Sequence, residues 1–118
     1  MTQTVSTEYV NQVCMVMLDQ IGRGTVMSVS GGRTSFTVDG PDANPCVVMP
    51  VSNGYNVEAV YDQGSDTYIV RRVFTRGGKR FVKGERTDVY CDGLGEACYD
   101  ASCFRSYDEM EWVNGVRR

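Results

Sequence analysis

The chain begins with an apolar stripe at helical period. Its apolar residues recur three and four positions apart, the spacing of one face of an α-helix: Val10, Val13, Cys14, Met17, Leu18 and Ile21. Ser6 is suited to cap the start of this helix, and Gly22 and Gly24 can end it. Met15 and Val16 broaden the stripe, so we expect the helix to be well covered by the rest of the fold.

Beyond Gly24 the pattern changes to short runs rich in β-branched and aromatic residues, which are typical of strands. The predicted strands are residues 25–30, 34–38, 46–51, 55–61, 67–76 and 79–90. Gly31-Gly32 separates the first two, and we expect a tight hairpin there. Residues 62–66 and Gly77-Gly78 form the turns between the last three strands. An antiparallel meander is the simplest topology for this order.

A second helix is predicted to start at a cap formed by Asp92 and to run to about Ser106. Its expected inner side consists of Leu94, Ala97, Cys98, Ala101 and Phe104. The whole order predicts an α+β fold: a single antiparallel β-sheet of five or six strands flanked by an N-terminal and a C-terminal helix, both on one face. We expect residues 1–106 to form one domain and 107–118 a C-terminal tail that is mobile or docks through Trp112.

The composition is that of a folded, soluble chain. With 118 residues, 42% of them hydrophobic and 23% charged, the protein can bury one core without metals or disulfides. No apolar run approaches the ~20 residues of a membrane span. The first ten residues lack the basic and then apolar pattern of a secretory signal. We therefore expect a cytoplasmic protein with no membrane partner, and its five cysteines, an odd number, favour reduced thiols.

The net charge of −3 conceals a strong segregation of charge. Residues 67–86 carry seven basic residues and one acidic residue, a local charge of +6, whereas the rest carries five basic and fourteen acidic residues, or −9. This basic hairpin is the predicted surface for nucleic acid or another partner. Its candidate binding residues are Arg71, Arg72, Phe74, Arg76, Lys79, Arg80, Phe81, Lys83 and Arg86.

A two-residue type I′ turn at Gly77-Gly78 would set the register of the basic hairpin. The predicted pairs are Arg76 with Lys79, Thr75 with Arg80, Phe74 with Phe81, Val73 with Val82 and Arg72 with Lys83. Side chains alternate along a strand, so the two phenylalanines and four of the cations would share one face. Aromatic rings with cations around them are the parts of a platform for single-stranded nucleic acid, where stacking contributes ~1–3 kcal/mol per base.

An alternative reading of the same hairpin remains open. Phe74 and Phe81 can be a core pair whose neighbouring cations reach past the sheet to water, and basic residues on an edge strand discourage aggregation. The exposure of the two rings separates these readings, because a ring beneath a helix cannot stack on a base. The sequence pI of about 4.8 also argues against strong nonspecific binding to duplex DNA.

Catalytic chemistry has little support in the residue types. The chain contains no histidine, which removes the commonest general base and every Cys-His or Ser-His arrangement. Cys91, Cys98 and Cys103 lack the C-x-x-C spacing of zinc and redox motifs. We predict a protein that is not an enzyme and that needs neither a cofactor nor a metal.

Three carboxylates of the second helix, Asp92, Glu96 and Asp100, recur every fourth residue and therefore lie on one helix face. They fit a solvated acidic face better than a site for a divalent cation. The nearby run GLGEA, residues 93–97, matches neither the dinucleotide fingerprint nor the P-loop, so a closely packed helix start is the better interpretation.

Two motifs carry a resemblance to a known group. The pattern D-T-Y-x-V-x-R-x-F-x-R-G-G, residues 66–78, is followed by V-Y-x-D-x-L-G-E, residues 89–96. Over about residues 10–106 the chain resembles small uncharacterised proteins of actinobacterial phages and related mobile elements. The resemblance implies a phage gene product in the cytoplasm of a bacterial host, and it favours binding of nucleic acid or a host factor.

These observations predict a small non-enzymatic phage accessory protein that binds nucleic acid through its basic, aromatic β-hairpin. The alternative is a protein-interaction module that acts on a host protein or forms a homo-oligomer such as a homodimer.

Overall fold

The first helix follows the predicted apolar stripe. In the computed structural model, which describes residues 7–103 and the backbone of residues 112–113 and 116–117, helix α1 spans Thr7–Ile21. Its buried residues are Val10, Cys14, Met17 and Ile21, which confirms the stripe. Met15 and Val16, expected to be covered, are each more than half exposed. The predicted cap, Ser6, lies outside the described residues.

The predicted strand over residues 25–30 is wrong, because this segment is helical. Helix α2 spans Arg23–Ser30 and buries Val26, Val29 and Ser30, positions that share one face of a helix but not of a strand. Gly31, at φ 65°, ends the helix: its N–H donates to the Met27 carbonyl. Gly31-Gly32 is therefore a helix C-terminus and not a hairpin turn. Packing against the core has overridden the strand propensity of the valines.

The sheet is a five-stranded antiparallel meander. Its strands are β1 (Ser35–Asp39), β2 (Asn44–Pro50), β3 (Tyr55–Asp62), β4 (Thr67–Arg76) and β5 (Lys79–Val89). Each strand pairs antiparallel with its neighbour along the chain, in the order β1-β2-β3-β4-β5. The predicted α+β class, a single antiparallel sheet with an N-terminal and a C-terminal helix, is thus confirmed with five strands.

The C-terminal helix begins later than predicted. A 3-10 turn over Cys91–Gly93 precedes helix α3, which spans Leu94–Cys103, so Asp92 lies within the turn. The expected inner residues Leu94, Ala97, Cys98 and Ala101 are all buried. Phe104 and the predicted helix end at Ser106 lie outside the described residues. In the tail, the backbone of β6 (Trp112–Val113) pairs with that of β7 (Val116–Arg117).

One core lies between the helices and one side of the sheet. The helices contribute the buried residues named above, and the sheet contributes Val47, Met49, Val57, Ala59 and Val70. Burial of each large apolar side chain contributes about 1.5–3 kcal/mol, so this layer supplies the main stabilisation. Within the described residues no helix is long and apolar enough to cross a membrane.

The start of α3 packs closely on the end of α1 through a glycine. A Cβ built on Gly95 would lie 2.5 Å from the Ile21 carbonyl oxygen, closer than such atoms can approach. Because the contact is with backbone, a larger residue at this position must displace one helix from the other.

We therefore expect Gly95→Ala to lower the free energy of unfolding by about 1–2 kcal/mol, since the overlap outweighs the better helix propensity of alanine. Gly93→Ala is the matched control, because a Cβ there would meet no atom within 4 Å. Urea unfolding followed by circular dichroism measures both variants. Equal stabilities would show that the two helices separate at little cost.

Candidate functional site

The tip of the basic hairpin has the predicted register. The observed pairs are Arg76 with Lys79, Thr75 with Arg80, Phe74 with Phe81 and Val73 with Val82. Gly77 and Gly78 have φ angles of 60° and 78°, and two consecutive positive φ angles are what a type I′ turn requires. The two-residue turn therefore fixes which side chains face each other for four pairs.

Beyond these four pairs the register shifts, which corrects the predicted pairing of Arg72 with Lys83. Arg72 lies opposite Gly84, so Lys83 is the extra residue of a β-bulge in β5. A second shift lies between the pairs formed by Tyr68 and Val70, close to Asp88 at φ 56°. Bulges add local twist and interrupt the regular row of backbone groups along an edge strand.

Arg72 is structural, contrary to the prediction that it belongs to an open cationic face. The residue is buried, and its Nη1 donates a 2.8 Å hydrogen bond to the Ala101 carbonyl in α3. Its guanidinium also lies 4.4 Å from the centre of the Tyr55 ring, a cation–π distance. A cation near the carbonyl end of a helix is favourable, so Arg72 fastens α3 to the sheet.

Arg71 and Arg80 lie on the other side of the sheet, in a network with three carboxylates. Arg71 binds Asp39 through two hydrogen bonds of 2.9 and 3.1 Å and Glu85 through one of 2.6 Å. Arg80 donates to both carboxylate oxygens of Glu58, whose Oε1 is also 3.7 Å from Arg71 Nη1. The network neutralises two of the seven predicted cations with carboxylates of β1, β3 and β5.

The contact between Arg71 and Asp39 requires a strongly coiled sheet. The ladder sets Ser35 of β1 level with Arg71 of β4, through the pairs Ser35–Val48, Val48–Glu58 and Glu58–Arg71. In a flat sheet, three strand spacings across and four residues along would separate Asp39 from Arg71 by about 20 Å. Because their side chains are in hydrogen-bond contact, the sheet curls along this diagonal and its helix-free side is concave.

The concave side explains an unusual burial pattern. Val60 and Val73 point away from the helices, yet they are at most 1% exposed. The arginines and carboxylates of the network lie on the same side of the sheet as these two valines. The aliphatic stems of long charged side chains can cover such apolar surface.

Three aromatic rings lie on the helix-bearing side towards the hairpin tip. The Tyr55 and Phe74 rings are 4.8 Å apart and the Phe74 and Phe81 rings 6.4 Å apart, both within the range of favourable aromatic pairs. Phe74 is half-buried, whereas Phe81 is 45% exposed. Both phenylalanines lie closer to the tip than Arg72, the residue that meets the last turn of α3. The exposed ring is thus past the described part of that helix and not beneath it.

Tyr55 is a residue of this site that the sequence interpretation missed. The predicted five-residue turn, 62–66, would place Tyr55 opposite Val73, on the other side of the sheet, whereas the observed turn has four residues, 63–66, and places Tyr55 opposite Phe74. The turn between β2 and β3 also contacts the hairpin, because the Thr75 N–H donates a 2.8 Å hydrogen bond to the Gly54 carbonyl.

Three of the remaining basic residues and the exposed ring define what we call the tip surface: Arg76, Lys79, Lys83 and Phe81, backed by Phe74. Arg76 and Lys79 are exposed, and Lys83 is half-buried. Strand alternation puts Arg76, Lys79 and Phe81 on one side of the sheet. Arg86, half-buried, lies farther along β5. Of the nine predicted residues, the structure thus brings five together and assigns Arg71, Arg72 and Arg80 to internal contacts.

The buried cysteines Cys14, Cys46 and Cys98 are poorly suited to a reactive centre, whereas Cys91 is exposed. Burial raises the pKa of the Cys14 thiol to about 11 and that of Cys98 to about 12, and it also raises that of Cys46. These thiols are therefore protonated at neutral pH and unsuited to nucleophilic or metal chemistry. Among the described residues, no three Cys, Asp or Glu side chains are placed to hold a metal ion. The side chain of Cys103 lies outside the described part of the chain.

A shallow groove of about 450 Å³ lies between α1 and α2. It is lined by apolar residues that include Met15, Leu18, Val26 and Met27, with Asp19 and Arg23 at its polar positions. It is distant in the sequence from the hairpin and forms no part of the tip surface.

The fold and the tip surface define a small α+β protein with a basic aromatic hairpin on a coiled antiparallel meander. Comparison with known proteins finds no matching family model, no matching curated sequence and no matching solved structure. The interpretation of the site therefore depends on the residues of this chain.

The Arg71 network should make stability depend on pH. The hydrogen bonds and charge of Arg71 lower the pKa of Asp39 below its ordinary value of 3.8. A carboxylate with a lowered pKa stabilises the folded state at neutral pH, and this contribution is lost as the pH falls through the folded-state pKa. We expect Asp39→Asn to cost about 1–2 kcal/mol at pH 7 and to flatten the decline of stability below about pH 4.

Asp42→Asn is the matched control, because it removes an exposed carboxylate from the adjoining turn. Urea unfolding at a series of pH values between about 2.5 and 7 measures both variants. If the two variants lost stability equally, with the same pH profile as the parent, the contact with Arg71 would contribute nothing to folding.

Proposed function

We propose that this protein is a small non-enzymatic accessory protein that binds single-stranded nucleic acid through the tip surface. The observation that carries the proposal is the exposed ring of Phe81 on the same side of the hairpin as Arg76 and Lys79. A base can stack on the ring while adjacent phosphates meet the two cations. The Phe74 ring lies 6.4 Å from the Phe81 ring and packs in turn on Tyr55, so the exposed ring needs less ordering on binding.

The internal ion pairs strengthen the electrostatic case for this surface. Three carboxylates, Asp39, Glu58 and Glu85, are held by Arg71 and Arg80 on the concave side. Arg76, Lys79 and Lys83 take no part in these ion pairs. The acidic remainder of the chain repels a polyanion elsewhere, so binding is confined to the tip and sensitive to salt.

Two further observations agree with a binding role in a bacterial cytoplasm. The absence of histidine and the raised pKa of the buried thiols leave few groups suited to general-base or nucleophilic chemistry. The resemblance to small phage proteins fits a gene product that binds nucleic acid in an infected host.

The alternative, a protein-interaction module, is favoured by a different observation. Strand β1 is an edge of the sheet and carries the exposed Val38. This edge lies at the opposite end of the strand order from β5, so the two candidate functions use separate surfaces.

Reversal of the tip charges tests the phosphate contacts. We expect Arg76→Glu/Lys79→Glu to abolish most binding to single-stranded DNA or RNA, and to reduce the slope of log affinity against log salt by about 1.4, or 0.7 per phosphate contact. Fluorescence anisotropy between ~50 and ~200 mM salt measures this slope. Arg72 is unsuited to such a test, because reversal of a buried, bonded cation would disturb folding.

The double variant Arg23→Glu/Arg33→Glu is the control, since it changes the net charge equally but lies on α2 and in the following turn. Equal losses in the two double variants would mean that only the total charge matters. Failure of the parent to bind single-stranded DNA, single-stranded RNA or duplex DNA at ~50 mM salt would refute the proposal.

Removal of the exposed ring tests the stacking contact. Phe81→Ala should weaken binding to single strands by about 1–3 kcal/mol and leave the salt slope unchanged, because no phosphate contact is lost. Val82→Ala is a close control: Val82 is the next residue, 49% exposed, and points to the opposite side of the strand. If both substitutions had the same effect on affinity, stacking on Phe81 would be excluded.

A further inference from the structure

The two edges of the sheet differ in their protection against another strand. Strand β5 has two register shifts, a non-glycine residue at positive φ in Asp88 and the basic residues Lys79, Lys83 and Arg86. Bulges and basic side chains are the usual means by which proteins prevent pairing at a free edge. The edge at β5 is therefore poorly suited to accept a strand.

Strand β1 lacks these protections. Its five residues pair with β2 without a register shift, from Ser35 opposite Val48 to Asp39 opposite Asn44. The strand contains no lysine, arginine, proline or glycine, and its one charged residue, Asp39, is bound by Arg71. No described strand pairs with the outer edge of β1, so its outward N–H and C=O groups form an open template.

Val38 is an exposed apolar residue on this edge strand. It pairs with Pro45, while Phe36 pairs with Val47 of the core, so both apolar side chains of β1 point to the helix-bearing side. Phe36 is half-buried against the core, whereas Val38 is 47% exposed. A regular ladder and an exposed apolar side chain on the core side make this edge suited to another strand.

The sequence of β1 is complementary to itself in the antiparallel direction. With Thr37 on a two-fold axis, Phe36 lies opposite Val38 of the second copy, and the reciprocal pair forms on the other side of the axis. Ser35 then lies opposite Asp39, where its hydroxyl can donate to the carboxylate. All five residues are paired, each apolar residue faces an apolar one, and apolar cross-strand pairs stabilise a sheet.

We propose that β1 is a homodimer interface, in which two copies of this chain join their β1 strands antiparallel about Thr37 to form a continuous ten-stranded sheet. The two-fold contact closes on itself, because the remaining edges are the two protected β5 strands. This inference is independent of nucleic-acid binding: it uses the opposite edge of the sheet, and either proposal can fail without the other.

The first test is the concentration dependence of the mass of the full chain, measured by sedimentation equilibrium. We expect two chains of 13.1 kDa to associate, and Val38→Lys to weaken the dimer about tenfold or more, since a lysine on an edge strand opposes pairing. Val82→Lys is the matched control: it is similarly exposed but lies on β5, so the dimer should persist. Circular dichroism confirms that both variants are folded.

The second test fixes the register. Antiparallel neighbours about the axis have Cα atoms ~4.5–5.5 Å apart, within the range of a disulfide, so Thr37→Cys should form a covalent dimer on mild oxidation. Ser35→Cys should not, because its two copies would be ~13 Å apart. The parent, with its own cysteines, sets the background of cross-linking.

Three results would overturn the proposal: a parent that stays monomeric at ~100 µM, since association is favoured by concentration, equal dimerisation by Val38→Lys and the parent, or cross-linking of Ser35→Cys in place of Thr37→Cys. A monomer that captures an extended peptide at β1 would show that the same edge serves a different partner, and it would also exclude the homodimer.

Discussion

The contact between Arg71 and Asp39 is the constraint on which the shape of the sheet depends. It joins β4 to β1 across two intervening strands, so it can form only when the sheet is coiled. The same arginine binds Glu85 of β5 and lies near Glu58 of β3, so one guanidinium holds carboxylates from three other strands. Right-handed twist is intrinsic to β-strands, and the network fixes how far that twist develops along one diagonal.

The coiled shape of the sheet also divides the basic residues of the hairpin into two groups. Adjacent residues of a strand point to opposite sides, so Arg71 enters the concave network while Arg72 meets the end of α3. On the helix-bearing side near the tip, past the described part of α3, Arg76 and Lys79 remain exposed beside the ring of Phe81. The charge run of the sequence is therefore partly structural and partly available for binding, and near the tip the two groups lie on opposite sides of the sheet, with Arg80 in the network and Arg76 and Lys79 on the helix-bearing side.

Local signals were sufficient to predict much of this arrangement. The glycine pair at the tip gave the first four cross-strand pairs, and the apolar spacing in α1 gave its buried face. Gly84, a glycine within a strand, was a signal of the bulge that the even alternation of the prediction ignored. In α2, the spacing of Val26, Val29 and Ser30 was a helical signal that competed with valine-rich strand propensity, and the glycines after it suited either element.

Other features could not be predicted, because they depend on groups distant in the sequence. Arg71 and Asp39 are 32 residues apart, and so are Cys14 and the Cys46 carbonyl to which its thiol lies close. The sequence pattern shows that Arg71 and Arg72 fall on opposite sides of a strand, but not which of these sides meets carboxylates and which meets a helix end. That distinction follows only from the coil and from the placement of α3.

A meander that pairs only neighbours along the chain leaves one edge of its first strand and one edge of its last without a hydrogen-bonded neighbour among the described strands, and these two edges differ in this protein. Strand β5 is bulged and basic, so it repels a further strand but can still present a ring and cations to a polyanion. Strand β1 is regular and apolar on its core side, which suits it to another β-strand. Joining two copies at β1 would place the two tip surfaces at opposite ends of one sheet. A single strand of nucleic acid long enough to reach both tips would then bind the second tip at a high effective concentration. Modest affinity at each tip would therefore give a much higher affinity for the whole strand.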